Sequence, residues 1–163
     1  MSFTITSTQI FIYASALIIL FITPGPVWIA IIARTISGGK NSGLSLVLGV
    51  SLGDMLWPFV VFLGIGYLFF YHSDYLTLFR LLCSIILGMM GLQIILNSRK
   101  GISSNSKLHK NGFFAGLTAG FFAVTANPKA ALFYITLLPG FFDFFTIKVY
   151  DLLFISLISF SIP

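Results

Sequence analysis

The sequence predicts an all-α membrane protein with the architecture of a polytopic helical bundle, on three observations. First, 58% of the 163 residues are hydrophobic and only 8% are charged, which is far more apolar than the usual composition of a soluble domain. Second, apolar runs of about 20 residues recur, and a helix of that length crosses a hydrocarbon core of about 30 Å. Third, the basic residues fall mainly in the connections between these runs, which indicates membrane topology rather than a nucleic-acid surface.

The apolar runs predict about five spans within one integral membrane domain, residues 1–163. The predicted spans are 10–36, 43–70, 76–96, 113–138 and 149–162. The first run is too long for a cleaved signal peptide and has no basic segment before it, so we expect it to remain as a span. Residues 152–162 would rise only about 17 Å as a helix, so the last span is predicted to be incomplete.

Span 1 contains the motif TPGP at 23–26. Proline lacks an N–H group and crowds the carbonyl four residues back, so Pro24 is expected to free the carbonyl of Leu20. Such an interruption at membrane depth is tolerated where the backbone is buried in protein or lines a polar cavity. This stretch is therefore a candidate ligand site. Its residues are Thr23, Pro24, Gly25 and Pro26.

Span 2 contains one carboxylate, Asp54, near its middle. A carboxylate that faces lipid costs about 2.5–3.5 kcal/mol on insertion scales, so Asp54 is expected to face the protein interior. Pro58 leaves the carbonyl of Asp54 without its helical donor. A desolvated carboxyl is pushed toward its neutral form, so Asp54 is a candidate proton carrier or cation site. A purely structural polar contact is the alternative.

Basic residues set the predicted orientation. The connection after span 1 carries Arg34 and Lys40, and the loop 97–112 carries four more lysines and arginines. Both connections are predicted to be cytoplasmic. The N-terminus then lies outside, and spans 1 and 4 run in opposite directions.

Span 4 contains the second predicted interruption, at Asn127 and Pro128. An N-cap side chain followed by proline at the first helical position starts a new helix, and Thr23 followed by Pro24 is expected to do the same in span 1. Lys129 is predicted to bind a substrate carboxylate or to pair with Asp54. A lysine that extends to the membrane interface is the alternative.

Interrupted helices in spans 1 and 4 are typical of a secondary transporter built as an inverted repeat of three plus three helices. The five spans predict an incomplete version of that repeat. The ends of the half-helices would direct N–H groups at an anionic substrate group. Small residues spaced by four predict close helix packing. They are Ser45, Gly49 and Gly53 in span 2, Ser84 and Gly88 in span 3, and Gly112, Gly116 and Gly120 in span 4.

Three segments together resemble the LysE/RhtB family of amino-acid exporters: TPGP at 23–26, GVSLGD at 49–54 and NPKA at 127–130. The resemblance covers nearly the whole chain. It implies a six-helix permease of the bacterial cytoplasmic membrane that exports amino acids or related metabolites, driven by the proton gradient. The site positions that it implies are Pro24, Gly25, Pro26, Asp54, Asn127, Pro128 and Lys129.

The expected partners are therefore a small-molecule substrate, protons and the lipid bilayer, with no nucleic acid; a homo-oligomer is left open. No cofactor or metal is predicted. One alternative is a transport-inactive membrane fragment of such an exporter, and another is a cation exporter, which the scarcity of buried ligand residues disfavours. An enzyme is not predicted, because the sequence offers no pairing of nucleophile and base.

Overall fold

The computed structural model describes residues 4–71 and 112–163, together with isolated helical positions between 81 and 96; for 65–71 it describes the backbone alone. The predicted span 3 and the loop 97–112 therefore lie almost wholly outside the described residues. The helices of the two long ranges are α1 (Ser7–Ile22), α2 (Pro26–Tyr71), α3 (Phe113–Thr125), α4 (Pro128–Phe141) and α5 (Val149–Ser161).

The helices correspond to the predicted spans with shifted ends. Helix α1 begins at Ser7, before the predicted residue 10, because Thr6 and Gln9 form a capping box that satisfies N–H groups at the helix start. Helix α2 holds the second half of span 1 and all of span 2. The predicted connection between those spans is too long. Gly39 is the one residue of α2 with non-helical backbone angles, and the chain turns there. The φ angle of Gly39 is 76°, a left-handed conformation that favours glycine.

Within the described ranges, one helix is long and apolar enough to cross a membrane, namely α2 over Pro26–Gly64. Helices α3 and α4 pass the same test as a pair that is bent by 55°. Helices α1 and α5 are apolar but shorter. Large apolar side chains cover outer surfaces of these helices; Phe11, Ile36 and Phe114 are more than two-thirds exposed. Such surfaces suit a lipid environment.

The small-residue faces predicted in spans 2 and 4 pack against each other, between α2 and α3. A Cβ atom added to Gly112, or to Gly88 of span 3, would meet nothing within 4 Å. A Cβ atom added to Gly49 would collide with the backbone of Leu117, and one added to Gly120 would collide with the backbone of Leu46. The two helices are therefore in backbone contact, as the spacing of glycines predicts. This contact fixes α3 beside the middle of α2, which carries Asp54.

Helix α5 is attached to the N-terminal segment by a buried carboxylate. Asp151 accepts hydrogen bonds from the backbone N–H and the hydroxyl of Thr4, at 3.1 and 2.6 Å. It also accepts one from the backbone N–H of Lys148 at 3.0 Å, next to the start of the helix. Near this end, the Gln9 side chain donates to the carbonyl of Phe141 on α4. These bonds hold α1, α4 and α5 together around a shared apolar core.

Candidate functional site

The first helix interruption lies at 23–25, between α1 and α2. Thr23 ends α1: its backbone N–H and its hydroxyl both donate to the carbonyl of Ile19, at 3.1 and 2.7 Å. The next helix begins at Pro26, and the carbonyl of Gly25 accepts its first hydrogen bond, from Ile29. The expectation that Thr23 caps a helix starting at Pro24 is therefore wrong. The hydroxyl of Thr23 is used by the preceding turn, and Pro26 takes the first helical position.

The second interruption, between α3 and α4, agrees with the predicted chemistry. Asn127 caps α4, and its side-chain oxygen accepts a hydrogen bond from the backbone N–H of Lys129 at 3.1 Å. Pro128 occupies the first helical position. The carbonyl of Val124, which Pro128 cannot serve, accepts from the backbone N–H of Asn127 at 3.1 Å. The new helix start therefore leaves few backbone groups unsatisfied.

Lys129 joins the two interruptions. Its ammonium group donates to the carbonyl of Leu20 at 3.0 Å and to that of Thr23 at 2.7 Å. The Leu20 carbonyl is the group that Pro24 was expected to free. Positive charge at this position also opposes the partial negative charge at the C-terminal end of α1. The structure thus pairs Lys129 with α1 carbonyls, and not with Asp54 as the sequence had also suggested.

Asp54 lies in the interior, as predicted, with a side chain that is 1% exposed. Among the described residues, neither of its carboxylate oxygens has a hydrogen-bond partner. The hydroxyl of Tyr134 on α4, which is also fully buried, likewise has no hydrogen-bond partner among the described residues. A buried carboxylate without hydrogen-bond partners is energetically costly.

A cavity of about 30 Å³ connects Asp54 to both interruptions. Of the predicted site residues, five line it: Thr23, Gly25, Asp54, Asn127 and Lys129. The three predicted prolines do not line it; Pro26 and Pro128 begin the helices whose first turns border it. The two helix starts, the end of α1 and the middle of α2 therefore meet at one small cavity.

Three aromatic residues near the cavity were not singled out from the sequence. Trp28 lines the cavity, and its indole N–H donates to the carbonyl of Phe21 across the first interruption. Tyr134 and Tyr13 lie fully buried in one core cluster. For the two tyrosines the available signal was chemical, because a buried phenol needs a hydrogen-bond partner. The position of each tyrosine in an apolar helix could have marked it as part of a polar site.

The comparison with known families decides the identity of the chain. A family model described as LysE type translocator matches residues 18–162. The chain belongs to the LysE type translocator family. This assignment confirms the resemblance carried by the three sequence segments. The match includes both helix interruptions and Asp54.

The chain is also similar to an uncharacterized membrane protein of Synechocystis sp., with 28% identity over 137 residues. The matched region covers 84% of this chain and 66% of that relative. The chain therefore spans just under two thirds of the length of that curated relative. No solved structure matches it.

Proposed function

We propose that this translocator exports amino acids or related metabolites from the cytoplasm and that Asp54 couples export to protons. The observation that carries the proposal is the cavity between the two helix interruptions. It combines a buried carboxyl group that has no partner among the described residues with the ammonium group of Lys129. The carboxylate of an amino acid is complementary to Lys129, and its ammonium group is complementary to Asp54. A proton can take the place of the substrate ammonium group at Asp54.

Lys129 and the two helix starts form the proposed carboxylate site. An ammonium group has three N–H donors, and the carbonyls of Leu20 and Thr23 occupy two of them. Among the described residues the third donor has no partner, so it is available to a substrate carboxylate without breaking either bond. The first turns of α2 and α4 add partial positive charge and N–H groups at the same cavity. Gly25 lies beside this ammonium group, since a Cβ atom there would make an ordinary van der Waals contact, at 3.6 Å, with the Lys129 side chain.

Asp54 is the proposed proton carrier. Its surroundings offer no cation within hydrogen-bonding distance among the described residues, so binding a proton removes an uncompensated buried charge. Release of that proton becomes favourable when a substrate ammonium group or water enters the cavity. Proton and substrate then compete for one carboxyl group, which is a simple basis for coupled exchange.

The cavity volume implies a conformational change during transport. About 30 Å³ holds one or two water molecules but no amino acid. The proposed cycle widens the cavity at the interruptions, where the backbone is not constrained by helical hydrogen bonds. Alternating movement of two inverted repeats, with interrupted spans 1 and 4 in corresponding positions, would open it to each side in turn.

Small neutral amino acids are the proposed substrates. Among the described residues, Asp54 is the acidic side chain that lines the cavity, and the other buried acid, Asp151, is occupied by Thr4. No second carboxylate there would hold a cationic side chain. The proposed location is the bacterial cytoplasmic membrane, with the N-terminus outside and the loop 97–112 in the cytoplasm.

Export from cells tests this function. Cells are loaded with dipeptides, and the amino acids released are measured for the wild type, Asp54→Asn and empty vector at matched membrane levels. We expect faster release from the wild type, and release at the vector rate from Asp54→Asn. Asp143→Asn is the matched control, because it makes the same change at an exposed position outside the cavity. Equal release from the wild type and the vector would contradict export, and full activity of Asp54→Asn would contradict its proton role.

A further inference from the structure

Trp28 reaches back across the first helix interruption to the end of α1. The last carbonyls of a helix have no donor within it and need one from elsewhere. The carbonyl of Leu20 accepts from Lys129. The carbonyl of Phe21 accepts from the indole N–H of Trp28, seven positions further along the chain and in the first turn of α2. The ring of Trp28 is therefore held over the gap at 23–25 by a bond to its opposite side.

Trp28 also lies on the outer side of the cavity. Among the described residues that line the cavity, Thr23 and Trp28 are the exposed ones, and Trp28 is 40% exposed. At the other side, Val50 and Asp54 from the middle of α2 are buried. The cavity thus runs inward from the first interruption, and the indole ring is the largest side chain at its outer side.

The inner wall of the cavity is partly apolar. Four apolar side chains line it and belong to one buried cluster, with Phe21 packed against them; they are Val27, Val50, Val124 and Ala130. Apolar walls with a few polar groups are typical of small-molecule sites. A substrate that binds Lys129 and Asp54 by its charged groups would leave its side chain to this wall. The indole ring bounds that space on the outer side.

We propose that Trp28 is the gate of the cavity and the residue that limits the size of the substrate side chain. Its bond to Phe21 holds the ring in the closed position. That bond joins two neutral groups, whereas the bonds from Lys129 to α1 involve a charge and are stronger. The ring can therefore move away while α1 and α4 stay linked. The inference rests on the proposed export of amino acids, but its first test needs no substrate.

Thiol labelling of the purified chain in lipid nanodiscs tests the gate. Cys83 is the single cysteine of the sequence, so Cys83→Ser removes the background and Val124→Cys places one thiol at the inner wall. A methanethiosulfonate with an ammonium group measures access, and a bulkier one with a trimethylammonium group measures the size limit. This reference protein is compared with versions that also carry Trp28→Phe, Trp28→Ala or Ile29→Ala. Ile29 is the matched control, because it is 44% exposed beside Trp28 but does not line the cavity.

The two Trp28 variants separate the bond from the ring. Trp28→Phe keeps a ring but loses the bond to Phe21, so labelling by the small reagent should become about three- to tenfold faster, as expected for the loss of one neutral hydrogen bond. Trp28→Ala removes the ring, so both reagents should react faster, and the bulky one by the larger factor. Ile29→Ala should label at the reference rate.

Three outcomes decide the gate. Reference rates in both Trp28 variants would overturn it, and equal factors for the two reagents in Trp28→Ala would overturn the size limit. A thiol at Val61, which is buried outside the cavity, should stay unreactive throughout. If Trp28→Ala unfolds and exposes the Val61 thiol, Trp28→Phe decides.

Export connects the gate to the substrate. In cells loaded with dipeptides, Trp28→Ala should raise the release of leucine and phenylalanine relative to alanine, whereas Ile29→Ala should leave these ratios unchanged. Unchanged ratios in an exporting Trp28→Ala variant would overturn the role of Trp28 in substrate size. No release from the wild type, with the labelling differences present, would instead reject the proposed function alone.

Discussion

Replacement of Lys129 by methionine should destabilise the protein through the helix interruption it holds together. Methionine keeps most of the apolar stem but removes both hydrogen bonds to α1. The bond to the Thr23 carbonyl is exposed, so water can replace it. The bond to the Leu20 carbonyl is partly buried, and Pro24 leaves that carbonyl without a helical donor. The loss therefore comes mainly from the Leu20 bond.

The size of the loss follows from that bond. A hydrogen bond to a charged group contributes about 1.5–3 kcal/mol. Because the variant no longer has to desolvate the ammonium group, we expect the lower part of the range, about 1.5–2 kcal/mol. At about 2–4 °C per kcal/mol for a chain of this size, the apparent Tm should fall by roughly 3–8 °C.

Thermal unfolding of the purified protein in detergent measures this change. Lys40→Met is the matched control, because Lys40 is exposed, and its Tm should stay within about 1 °C of the wild type, as expected for a surface substitution. A Tm of Lys129→Met equal to that of Lys40→Met would refute the assignment of Lys129 as the link between the two interruptions.

Three further substitutions test the packing around the site. Gly120→Ala places a Cβ against the backbone of α2 and should lower the free energy of unfolding by about 1–3 kcal/mol. Gly64→Ala is the control, because its Cβ meets nothing within 4 Å, and it should be neutral or stabilising. Equal Tm values for the two variants would contradict the contact between α2 and α3. Asn127→Ala should cost about 1 kcal/mol by removing the cap of α4, and Asn127→Ser should restore most of the lost Tm. Asp151→Ala removes the acceptor of both Thr4 hydrogen bonds and should speed proteolysis of the N-terminal segment. An unchanged cleavage rate would contradict the role of Asp151 in holding that segment.

The sequence was most informative where local chemistry leaves one solution. A carboxylate in an apolar helix has to face the interior, and Asp54 does. Asparagine followed by proline is a strong helix start, and α4 begins there. Glycines spaced by four allow backbones to touch, and Gly49 and Gly120 lie at such contacts. In each case one residue type imposes the outcome within a few positions of itself.

The sequence was least informative where two solutions cost about the same. Pro24 and Pro26 are both acceptable at the start of a helix, and the hydroxyl of Thr23 can either accept from the next helix or donate to the previous turn. The choice depends on how α1 ends beside Lys129, more than 100 residues away along the chain. The Tyr13–Ser159 bond joins residues 146 positions apart. No local pattern encodes such a pair.

Proton movement in proteoliposomes tests the central claim most directly. The purified chain is reconstituted with a pH-sensitive dye inside, and a gradient of L-alanine, L-serine or L-threonine is imposed in turn. If Asp54 exchanges a proton against substrate, at least one amino acid should drive a change of internal pH, and Asp54→Asn should abolish it while Asp143→Asn does not. Amino-acid flux with no accompanying pH change in the wild type, or an equal pH change in Asp54→Asn, would contradict the account.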